Sequence, residues 1–112
     1  MSKTPSFKLT NQLKIYDEYV EPIKRGEKTS TVRNGIRLIN NPEIKFIPQT
    51  KAPFNVQLIG IDIVDFSDLT EKQAKADGFS SLKELKQTIK KIYKGIKDTS
   101  PMTIIKFKMP SK

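Results

Sequence analysis

Between Arg25 and Gly35 the chain reads RGEKTSTVRNG, which sets Lys28, Thr29, Ser30, Thr31 and Arg33 within six residues. A lysine three positions before a threonine has the makings of a base beside a nucleophile. It equally fits the polar edge of an ordinary strand. The rest of the composition narrows the chemistry open to this stretch. The chain has no cysteine and no histidine. Thiolate zinc sites, cysteine nucleophiles, Ser-His-Asp catalysis and histidine-ligated metals are therefore excluded. What remains is lysine, carboxylates, tyrosine and hydroxyls. A lysine acts as a base only when burial or nearby positive charge brings its pKa down from about 10.4.

Position along the backbone decides whether these side chains meet. In a regular strand residues three apart point to opposite faces, so Lys28 and Thr31 converge only if Lys28 lies in a turn before the strand or a bulge intervenes. Gly26 makes that turn plausible. Thr29, Thr31 and Arg33 share one face of a regular strand. The bland alternatives are a surface lysine at a helix end for Lys28, a β-branched strand residue for Thr31 and a structural arginine for Arg33.

The elements that must position this stretch are legible in outline. FKLTNQLKIY holds a first strand after a loose tail at residues 1–6. DEYVEPIKRG reads as a short helix, with acidic residues first, Lys24 and Arg25 last and Gly26 as terminator. KTSTVR is a strand rich in β-branched residues, closed by the Asn34-Gly35 turn. Residues 36–53 are irregular and punctuated by Pro42, Pro48 and Pro53, with a short strand at Ile44–Ile47. Asn55–Phe66 is the longest strand, buried on both faces or bent near Gly60. DLTEKQAKADGF and SSLKELKQTIKKIYKG are helices, with capping-box spacing at Thr70/Gln73 and Ser81/Glu84. Leu82, Leu85, Ile89, Ile92 and Tyr93 form an apolar stripe on the second. Met102–Met109 is a final strand that must pair with earlier ones, which favours a closed or nearly closed sheet. This is one mixed α+β domain spanning 1–112.

Lys and Arg number 21 against 12 Asp and Glu, a net charge of +9. Such a surface attracts polyanions, nucleic acid first among them, although the lysines are spread along the chain. No run approaches 18 apolar residues, so no transmembrane helix is expected. The N-terminus has no apolar signal region, and the chain reads as cytoplasmic. Nothing calls for a metal or another cofactor.

IKRGEKTSTVRNG, DFSDLTEKQAKADGFSSLKELKQTIKKIYKG and TIIKF together resemble the ASCH domain family of the PUA-like superfamily, over roughly Leu13 to Phe107. The motif residues are Gly26, Lys28 and Arg33. The resemblance implies a small bent β-barrel with flanking helices and a cleft suited to a nucleobase, nucleoside or RNA. Both blocks resemble the bacterial N(4)-acetylcytidine amidohydrolases, which use lysine, threonine and glutamate. Carried over, the catalytic residues are Lys28, Thr31 and Asp77, the last one methylene shorter than the family's glutamate. Arg33, Thr29 and Gly26 are the expected substrate- or RNA-binding positions. Tyr16, Tyr19 and Tyr93 are able to stack on a base, with Tyr93 read as core. Glu71 belongs to a helix start, outside the site. The implied function is deacetylation of a modified nucleoside by a monomer. The alternatives are a non-catalytic RNA-binding module and a ribonuclease.

Overall fold

The computed structural model describes Lys8, Leu9 and residues 11–110; the tail expected at residues 1–6 lies outside the described residues. The elements run β1 (Lys8–Leu9), β2 (Gln12–Lys14), a 3-10 turn at Asp17–Tyr19, α1 (Val20–Lys24), β3 (Ser30–Asn34), β4 (Arg37–Leu38) and β5 (Glu43–Ile47). They continue with β6 (Phe54–Asp65), a 3-10 turn at Phe66–Asp68, α2 (Glu71–Ala76), α3 (Leu82–Ile92) and β7 (Pro101–Lys108). Every strand and helix read from the sequence has its counterpart. Two features went unforeseen: β4, two residues inside the stretch read as irregular, and the division of the first strand into β1 and β2, which join different sheets.

A five-stranded sheet in the order β2-β5-β6-β7-β3 forms the centre. Its interior pairs are antiparallel and β2 lies parallel to β5, while β1 and β4 make a separate parallel pair. Alternation along β7 puts neighbouring residues on opposite faces. Ile105 and Phe107 join Leu13, Ile23, Ile44, Phe46 and Val56 in one core. Met102 and Ile104 join Val32, Phe66, Leu69, Leu85 and Ile89 in the other, under α2 and α3. The sheet therefore carries a core on each side. β6 is not buried on both faces, since Ile59, Asp62 and Ile63 are exposed. Near Gly60, where a bend was expected, the register against β7 slips between Leu58 and Gly60. There the Lys106 stem comes within 3.4 Å of where a Cβ on Gly60 would stand.

The closed barrel implied by the resemblance is not formed. Among the described residues the sheet has two edges, β2 and β3, and no ladder joins them. The reason lies at β3. The end of α2 takes backbone donors along this edge: Thr29 N, just before β3, donates to Ala76 O at 2.9 Å, and Val32 N within it donates to Asp77 Oδ2 at 3.1 Å. With those donors satisfied, β3 offers β2 no ladder, and one side chain crosses instead. Arg33 Nη2 donates to Lys14 O at 2.9 Å. No helix among the described residues is long and apolar enough to cross a membrane.

Candidate functional site

The site is built in the gap between the two sheet edges. Pro22 O accepts both Glu27 N and Lys28 N, which folds the chain back after α1. Gly26 takes a φ of 79° in this turn, a conformation that costs glycine little. Lys28 thus lies ahead of β3, outside the ladder, so the alternation that would separate it from Thr31 does not apply. Thr31 and Arg33 point to the same face of β3, opposite Ile105 and Thr103.

Asp77 arrives from the other direction. The Thr70–Gln73 capping box starts α2, and Asp77 caps its C-terminal end. Gly78 follows at a φ of 97°, a left-handed conformation that favours glycine, and it packs beside the Lys28 stem. Glu71 does not enter the site; its carboxylate accepts Leu82 N at the start of α3. The capping-box spacing at α3 is used in part. Glu84 N donates to Ser81 Oγ, while the Glu84 carboxylate accepts from Ser80.

Lys28 is 3% exposed and Asp77 6%. Lys28 Nζ donates to Ser30 O at 2.9 Å, to Asp77 O at 2.8 Å and to Asp77 Oδ1. These are as many acceptors as an ammonium has N–H bonds. The Nζ also sits 4.9 Å from the Tyr19 ring centroid. Burial pushes Lys28 below the ordinary lysine value and Asp77 above the ordinary carboxyl value, while their attraction opposes both shifts. Arg33 pushes Lys28 further down. Low dielectric thus pushes each partner toward its neutral form, against the attraction between them. Among the described residues, Thr31 Oγ1 is not one of the bonded partners of Lys28.

These groups open on a cavity of about 360 Å³, a size that suits one small ligand. Lys28, Thr31, Arg33 and Asp77 all line it. So do Tyr16, Tyr19 and Tyr93, which are all three tyrosines of the chain. Tyr16 and Tyr19 meet edge to face with centroids 5.9 Å apart. Tyr93, read from the sequence as core, does pack beside the α2–α3 core, and it also faces the cavity. Tyr16 and Ile92, 44% and 48% exposed, leave apolar surface at the same cavity. Lys14, Gln49 and Thr88, which sequence reasoning did not single out, complete the polar lining. Thr29 is elsewhere: with Ser30 it faces a separate groove beside Lys106. Gly26 contributes its turn and does not line the cavity. Among the described residues no three potential metal ligands cluster.

Such an arrangement can hold a flat, polar ring against tyrosine faces and present a hydroxyl, an amine and a carboxyl to one edge of it. A family model for the ASCH domain matches residues 6–110. Among solved structures, an ASCH domain from Lactobacillus crispatus is 16% identical, covering 92% of this chain and 79% of its own, with a TM-score of 0.68. An ASCH protein from Zymomonas mobilis is 20% identical, covering 87% of this chain and 66% of its own, with a TM-score of 0.64. At these identities the likeness speaks for the fold. No curated protein matches the sequence.

Proposed function

This chain belongs to the ASCH domain family, and from that premise we propose that it is an amidohydrolase removing the acetyl group from N(4)-acetylcytidine or a related modified nucleoside. One observation carries the reading: Lys28 and Thr31 from one stretch of the sequence and Asp77 from another line a single tyrosine-walled cavity of nucleobase size. The reading takes the protein as a cytoplasmic monomer.

The chemistry follows from the buried pair. Lys28, oriented by Asp77, acts as the neutral amine, the form toward which burial and Arg33 push it. The amine takes the proton of Thr31 as its oxygen attacks the acetyl carbon. Lys28, now an ammonium, faces the oxyanion that forms and stabilises it. Lys28 then protonates the leaving amine of cytosine as the C–N bond breaks. Water, activated by the same lysine, hydrolyses the acetyl-threonine and releases acetate. Arg33 holds the substrate. Gly26 and Thr29 act as supports, through the turn and the backbone bond to Ala76 that set Lys28 in place.

The +9 charge favours a second reading, an RNA-binding module in which the cavity accepts an unstacked base and Lys28 makes a contact without chemistry. Purified protein incubated with N(4)-acetylcytidine, followed by chromatographic separation of cytidine, decides between them. Turnover that falls about 10²–10⁴-fold in Lys28→Ala and Thr31→Ala, both folded by circular dichroism, is the expected result. Absence of turnover in the wild type overturns the amidohydrolase. RNA affinity that drops about 10³-fold or more between 50 and 200 mM salt then supports the module.

A further inference from the structure

The cavity carries more positive charge than its own carboxylate answers. Asp77 is occupied by Lys28 and by Val32 N. Arg33 and Lys14 remain. The ion pairs among the described residues are Arg25–Glu27, Lys28–Asp77 and Lys106–Asp62, so neither Arg33 nor Lys14 has a carboxylate partner there. The Arg33 guanidinium spends one donor on Lys14 O, and its Nε is buried with no acceptor. A strap to one carbonyl needs a donor; it does not need a desolvated charge, which is costly to bury unpaired. Arg33 reaches across the gap to the backbone of β2, and Lys14, whose carbonyl it meets, is exposed and lines the same cavity. The cavity is therefore lined by two cations besides the Lys28–Asp77 pair.

We propose that the ligand supplies the missing counter-charge: it is a nucleoside 5′-monophosphate, with its base against the tyrosines and its phosphate on Arg33 and Lys14. This rests on the preceding reading that the cavity takes a modified nucleoside, and it names the form in which that nucleoside arrives. A guanidinium matches two phosphate oxygens at once, and an ammonium on the lining of the same cavity adds a point charge. A neutral nucleoside leaves both cations unanswered.

The test is calorimetric titration of wild-type protein with cytidine, cytidine 5′-monophosphate and inorganic phosphate, none of which carries an acetyl group to be turned over. The monophosphate is expected to bind at least about tenfold more tightly than cytidine, as a charge-assisted contact allows. Arg33→Gln is expected to abolish that preference. Lys14→Gln, at an exposed position, is expected to narrow it without risk to the fold. Equal affinity for cytidine and its monophosphate overturns this inference and leaves the nucleoside reading standing. Phosphate binding as tightly as the monophosphate overturns it in favour of a plain anion site. Failure of both cytidine and its monophosphate to bind overturns the inference and the nucleoside reading together.

Discussion

Lys28 is the residue on which most turns, and its protonation sets two expectations. As the base it must be neutral, and burial places its pKa below the ordinary 10.5. The rate constant kcat/KM is therefore expected to rise with pH and level off below that value, in a pH–rate profile that Lys28→Ala flattens. The pair with Asp77 also holds the fold. Removing one partner strands a buried charge, so Asp77→Leu alone is expected to destabilise by about 3–5 kcal/mol in urea unfolding. Combining it with Lys28→Met should recover part of the loss. Recovery stays incomplete because Asp77 Oδ2 also accepts Val32 N, which leucine leaves buried and unpaired. At this scale the sequence pointed to Lys28 and Thr31 by residue type. Asp77 lies 49 residues from Lys28, and no local periodicity ties the two together; only the family resemblance did. The tyrosines were noticed as able to stack, but their convergence depends on a turn after β2 meeting the end of α3, which no single segment encodes.

At the scale of elements, the tyrosine wall is held by a clasp. Asp17 lies in the 3-10 turn between Tyr16 and Tyr19, and its carboxylate accepts both Thr50 N, at 2.9 Å, and Thr50 Oγ1. Asp17 N donates to the side chain of Gln49, itself a cavity residue. These bonds from Thr50 lower the Asp17 pKa from its ordinary 3.8. A depressed carboxyl pKa contributes stability above the unfolded value and loses it as pH falls through the folded one. The melting temperature of Asp17→Asn should thus lie below that of the wild type at neutral pH, and the gap should close under acid, below pH 3.8. In ligand titrations the same variant should weaken affinity, because Tyr16 and Tyr19 are no longer anchored. The helices were the most legible elements, since caps and glycines mark their ends locally. β4 was not, because two residues paired to another two-residue strand leave no pattern to read.

For the molecule as a whole, the sequence correctly set a mixed α+β domain and the pairing of the last strand with earlier ones, since β7 lies between β6 and β3. It did not reveal that the sheet stays open. Closure depends on whether the edge donors of β3 find β2 or the end of α2, a competition between partners far apart in sequence. The outcome turns the gap in the sheet into the cavity.

That opening also gives the sheet the mechanics of a C-shaped spring. β2 and β3 are its two tips, no ladder joins them among the described residues, and the bond from Arg33 to Lys14 O spans the space between. The width of the mouth is then a property of how strongly the sheet coils, and coiling is concentrated where a bulge breaks the register. Gly60 is that point, outside the cavity lining. A substitution there, Gly60→Val, sets a branched side chain beside the Lys106 stem and removes glycine's backbone freedom at the bulge, and it should alter ligand affinity severalfold without touching ligand, read as a change in Kd with the Lys28 and Thr31 chemistry left intact. Affinity in this protein is in that sense a matter of curvature, tuned from the back of the spring.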